Sequence, residues 1–201
     1  MPLVSNPQTT SGSTRGNLQN PNSNPKTVKN NREAKMINND AIQNVYNKYG
    51  DFSYGSKAGS KGENGEIDCS GLVCKILDEK GAINAYSADK SSQGLWMGST
   101  NKKTYDDAAS FKQKINNIPD ETIIAFSTGN SLSDNRKYGI DHVGIVTVGE
   151  NGKRYIVESA SSKGGPSVTL LSERINELEK KNLFSNRKGY GVIFTGEINY
   201  K

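Results

Sequence analysis

The feature that most constrains this chain is a change of period near residue 120. Before that point, apolar residues recur at helical spacing. In 33–49, Met36, Ile37, Ala41, Ile42, Val45, Tyr46 and Tyr49 share one helix face, and Gly50 follows as a stop. A second helix is expected over 69–80, where Leu72, Val73, Ile76 and Leu77 form an apolar stripe, Asp68 stands at the N-cap position and Gly81 ends the pattern. A third is expected over 104–116, closed by Pro119. After it, 122–127, 142–148, 154–159, 167–171 and 190–195 are short β-branched or aromatic runs separated by Gly and Asn, with a late helix over 172–181. Helices first and adjacent strands afterwards predict an α+β domain, N-terminal helices packed on a central antiparallel sheet, and argue against a doubly wound one.

With 201 residues the chain suits one domain with a core that needs no disulfide staple. Residues 1–35 are dominated by Asn, Pro, Ser, Thr and basic side chains, so a disordered tail is expected there and a folded domain over 36–201. The tail carries Arg15, Lys26, Lys29, Arg32 and Lys35 against Glu33, four of the five net positive charges. The remainder is nearly neutral, which argues against a nucleic-acid binder. The opening MPLVSNPQTT has no basic segment followed by an apolar one, so no signal peptide is expected, and no run is apolar enough for stable membrane insertion. Gly50 and Gly55 are spaced as in a phosphate loop, but Ser56-Lys57 reverses the required order and no strand precedes.

There are two cysteines and one histidine. On one helix, Cys69 and Cys74 would have α-carbons roughly 8 Å apart, too far for a bridge. A closed zinc site lacks its usual ligands, so neither metal nor cofactor is expected. Cys74, inside the helix, reads as a small buried hydrophobe. Cys69 differs because DCSGLV puts it at the helix start, where unpaired N–H groups and the helix dipole stabilise a thiolate and can hold an oxyanion. His142, opening DHVGIV, is the only neutral-pH base available to pair with it.

The imidazole needs an acceptor for its other nitrogen, and the next strand supplies Glu158. A three-residue loop, Glu150-Asn151-Gly152, with Gly152 left-handed, closes Gly149 against Lys153. That register sets Ala160 opposite His142 and Glu158 diagonally across on the same face. Asp141 points to the other face.

DCSGLV, DHVGIV and the preceding IPDETIIAFS together resemble the NlpC-type cell-wall cysteine peptidases, papain-like enzymes that cut peptidoglycan stem peptides. The resemblance runs from Ala41 to about Thr195. It implies a papain-like fold and hydrolysis of a stem-peptide amide such as D-glutamate to the diamino acid. It also implies Tyr54, in Tyr54-Gly55, near the oxyanion, Asp68 and Ser70 receiving the substrate's free amine and carboxylate, and Ser91, in Ser91-Ser92-Gln93, on a wall of the groove. The family's third position is most often histidine, and YIVESAS places Glu158 there instead. A compact wall hydrolase of this kind resembles antibacterial effectors of type VI secretion. That likeness implies delivery into a target-cell periplasm and an immunity protein as partner. Two other readings keep the same scaffold: a papain-like hydrolase or acyltransferase on lipid esters or amides, and an inactive wall-binding adaptor.

Overall fold

The computed structural model describes residues 33–55, 61–86, 89–129, 136–186 and 189–201. The expected tail therefore lies outside the described residues up to 32, as does the Ser56-Lys57 pair. Ala34, two residues before the expected start of the domain, is buried against the core.

Helix α1 is Asp40–Tyr49 and not the whole of 33–49, of which 33–34 is also helical. Asn39 breaks the pattern, because its side chain accepts from the Ile42 N–H and caps the helix there, while Ile37 bridges to Gly149. The expected loop over 50–66 holds a small sheet instead: β1 (Ser53–Tyr54) pairs in parallel with β3 (Glu66–Ile67), and β2 (Lys61–Glu63) pairs antiparallel with β3. Strands of two or three residues are too short to show a period.

Helix α2 is Cys69–Glu79, capped by Asp68, whose carboxylate accepts from the Gly71 N–H at 2.5 Å. Leu72, Val73, Ile76 and Leu77 are fully buried, each stabilising the fold by roughly 1.5–3 kcal/mol. Helix α3, Ser92–Gly98, was not expected. The helix expected over 104–116 is a correction: Thr100–Tyr105 is a strand, β4, Ala108–Lys112 is α-helical, α4, and Ile115–Asn117 is a separate 3-10 turn. Asp107 ends the strand reading by capping Ser110 N–H at 2.7 Å, and β4 keeps its polar side chains on an exposed sheet edge.

The remaining strands are β5 (Thr122–Phe126), β6 (His142–Val148), β7 (Arg154–Ala160), β8 (Gly165–Leu170) and β9 (Ile193–Glu197), with α5 (Leu171–Lys180) between the last two. They form a six-stranded sheet ordered β4-β9-β5-β6-β7-β8, antiparallel throughout. Alternation divides its side chains between two cores. Ile123, Ala125, Val143, Ile145, Val157 and Phe194 meet α1, α2 and α3. Ile124, Phe126, Val146, Ile156 and Ile193 meet α4 and α5. The sheet is thus covered on both faces, and this is why β5 reads as an unbroken apolar run. Among the described residues no helix is long and apolar enough to cross a membrane.

Candidate active site

Cys69 is the first residue of α2 and only 5% exposed. Its thiol makes a hydrogen-bonding contact with His142 and lies 3.5 Å from Ser92 Oγ. His142 opens β6 opposite Phe126 of β5, and the two rings stack at 6.0 Å between centroids. This end position lets the imidazole reach the thiol at one ring nitrogen and β7 at the other. Nε2 is bonded to Glu158 Oε2, leaving Nδ1 for the sulfur.

The β6–β7 turn delivers that contact. Gly149 N–H donates to the Lys153 carbonyl at 2.9 Å, Gly152 has φ +72, and the ladder runs from Val148↔Arg154 to Ile145↔Val157. The ladder stops at Ile145↔Val157, and beyond it the His142 and Glu158 side chains meet directly. Glu158 is wholly buried, and a carboxylate in that position needs charged partners. One is His142 and the other is Arg174 of α5. Arg174 Nη2 donates to Glu158 Oε2 at 3.2 Å, and Arg174 Nε lies 2.6 Å from Glu158 Oε1 as an ion-pair contact whose N–H is not directed at that oxygen. Arg174 in turn faces Glu177 at 3.4 Å, which Lys163 and Lys181 hold from outside.

The electrostatics follow from this line of alternating charge. Burial pulls His142 down, but the Glu158 carboxylate and the Cys69 sulfur outweigh it and push the imidazole up to about 10. Burial raises Cys69, yet its hydrogen bond to His142, the imidazolium charge and Ser92 bring it below the ordinary thiol value, with Asp68 opposing. Burial likewise raises Glu158, but His142 and Arg174 hold it below the carboxylate range. Both shifts favour the thiolate–imidazolium pair over thiol and neutral imidazole.

Tyr54 lies beside this centre, its backbone N–H bonded to the Gly164 carbonyl at 2.9 Å. Burial and the negative neighbours Cys69, Asp68 and Asp141 push its phenol up to about 12, so it stays a donor. Asp68 and Ser70 are already engaged. Asp68 Oδ1 caps α2 and accepts from Ser70 Oγ at 2.9 Å, while Lys61 Nζ donates to Ser70 Oγ at 2.7 Å and lies 3.5 Å from Asp68. Ser91 caps α3 by accepting from Gly94 N–H at 3.1 Å, and it is Ser92 that faces the sulfur. Asp141 accepts from Thr128 N–H and Oγ1 at 3.0 and 2.9 Å.

Sequence reasoning missed Ser92, Lys61 and Arg174. For Arg174 a signal existed: with Leu171, Ile175 and Leu178 it occupies the buried stripe of α5, where a cation is out of place.

Fold and site together define an α+β chain with a buried thiol–imidazole–carboxylate line at the end of its sheet. No family model matches the chain, and no curated protein matches it. Among solved structures, it is similar to a Staphylococcus aureus subsp. aureus Mu50 protein of the NLP/P60 family, described as similar to lipoprotein, at 14% sequence identity and a TM-score of 0.48. The match covers 83% of this chain and 44% of that one, so the chain spans less than half that protein's length.

Proposed function

We propose that this chain is a papain-like cysteine hydrolase acting on an amide of the peptidoglycan stem peptide. The observation that carries the reading is the contact between a helix-start thiol and an imidazole whose far nitrogen is bonded to a buried carboxylate. The substrate class comes from the DCSGLV and DHVGIV motifs and their resemblance to the cell-wall peptidases.

In this mechanism the Cys69 thiolate attacks the carbonyl carbon and a C–S bond forms, while N–H groups at the start of α2, with the Tyr54 hydroxyl beside them, receive the oxyanion. His142 gives its Nδ1 proton to the leaving nitrogen as the C–N bond breaks, and a thioester is left. Neutral His142 then takes a proton from water, hydroxide attacks the thioester, and C–S cleavage restores thiolate and imidazolium. Glu158 keeps the ring in place throughout. By the same resemblance, Asp68 and Ser70 would receive the stem peptide's free amine and carboxylate, and Ser91 would stand on a wall of the groove.

The test is digestion of defined muropeptides, read by mass spectrometry, with wild type and Cys69→Ala. Wild type should release stem-peptide fragments and the variant should lose at least about a thousandfold in rate. Equal activity of the two would end the assignment. Cleavage of lipid esters with muropeptides left intact would move the chain to the lipid-acting reading.

A further inference from the structure

Arg174 stands where a helix should present a hydrophobe. Leu171, Ile175 and Leu178 bury the same face of α5, and Arg174 is itself only 3% exposed. A buried guanidinium is expensive unless its partner is charged and fixed. Its partner is the carboxylate that holds the imidazole. Glu158 Oε2 is divided between His142 Nε2 and Arg174 Nη2, and Oε1 lies against Arg174 Nε. The guanidinium therefore holds the carboxylate by one hydrogen bond and one close ion contact, and draws on the same oxygen that the imidazole uses.

We propose that Arg174 is a positioning residue for His142: it locks Glu158 from the far side of the sheet and shares its charge, so that the imidazolium remains an acid able to release its proton to the leaving nitrogen. The inference rests on the catalytic reading above. The physical reason is a balance. A buried carboxylate facing only an imidazolium would bind the proton too tightly for transfer, since a general acid works best when its proton affinity suits the operating pH. A second cation on the same carboxylate weakens that hold.

Other charged groups around the line belong to several elements. Cys69 and Asp68 approach from the start of α2, Tyr54 from β1 and Asp141 from the residue before β6. Glu177 stands behind Arg174 and is itself held by Lys163 and Lys181. None of these touches both oxygens of Glu158 as Arg174 does.

Because His142 is the only histidine, its titration in the intact chain is a single NMR signal that needs no substrate. The proposal expects opposite signs for two neutral replacements. Arg174→Met, which removes a cation, should move the imidazole midpoint up by about one pH unit. Glu158→Gln, which removes the anion, should move it down. Arg174→Lys keeps the charge and should stay near wild type. If Arg174 were only a strut, losing it would misplace Glu158, and both Arg174→Met and Arg174→Lys would move the midpoint down with Glu158→Gln. That result, or no shift in Arg174→Met, overturns the proposal. Should Arg174→Met fail to fold, the lysine variant alone decides, by staying at the wild-type midpoint or following Glu158→Gln. Muropeptide turnover is read alongside and should fall about tenfold or more in Arg174→Met. If wild type cuts no muropeptide, the catalytic reading falls while the titration still decides the coupling.

Discussion

At the scale of single residues, Lys61 departs most from what the motifs imply. Asp68 is expected to receive a substrate amine, yet its Oδ1 already serves the Gly71 N–H, Ser70 Oγ and, at 3.5 Å, the Lys61 ammonium. A second cation entering there meets Lys61 first. Lys61 is partly exposed and can swing aside, so it competes with a substrate amine without excluding it. Lys61→Gln should therefore lower KM for a muropeptide with a free terminal amine by up to about fivefold, the reach of a half-exposed charge pair. Its kcat should not change, because Cys69 and His142 are untouched. Steady-state kinetics on the two proteins checks this. A higher KM in the variant would mean that Lys61 holds the substrate itself, through a carboxylate.

At the scale of elements, what holds Tyr54 beside the sulfur is a close approach of β1 to β8. Gly165 has φ +153, and a Cβ there would sit 2.2 Å from the Phe52 carbonyl oxygen, which is backbone and cannot rotate away. Gly165→Ala should cost roughly 1–3 kcal/mol by denaturant melt and push β1, with Tyr54, off the site, lowering turnover while Cys69 alkylation persists. Unchanged stability and turnover would show that β1 does not depend on this contact. The same elements explain what could be read in advance. Helix α2 and strands β5 to β8 are long enough to display a period, and the Glu150-Asn151-Gly152 turn sets their register, so the meeting of Cys69, His142 and Glu158 was legible from local pattern. The small sheet is too short for any period, α3 carries two glycines in seven residues, and β4 is a polar edge strand that nothing local separates from a helix. Arg174 was illegible as a partner because its carboxylate lies on another layer, and the distinction between Ser91 and Ser92 depends on which of them caps α3.

At the scale of the whole molecule, the charge line crosses the sheet from α2 on one face to α5 on the other, so its protonation belongs to the stability of the fold. His142 is raised, which means that its contribution is full below the ordinary imidazole value of 6.5 and is lost as pH rises through about 10. Cys69 is lowered, so its contribution is present above the ordinary thiol value of 9.0 and is lost as pH falls through its folded value. Between 6.5 and 9.0 the two oppose each other. Where Cys69 is ionised in the fold, above its lowered value, the folded pair holds one proton on nitrogen; unfolded, between 6.5 and 9.0, it holds one proton on sulfur. Equal proton counts give no slope, and the pair should leave wild-type stability flat across that interval. Cys69→Ala removes one half of the compensation. Glu158 still raises His142 in the folded variant, without the share that Cys69 adds, whereas the unfolded chain releases that proton above about 6.5. Stability of Cys69→Ala should then fall with rising pH at up to about 1.4 kcal/mol per pH unit. Denaturant melts at pH 6.5 and 9 on both proteins measure the difference. A variant as flat as wild type would mean that the imidazole is not held charged, and that the thiolate it is meant to stabilise does not form.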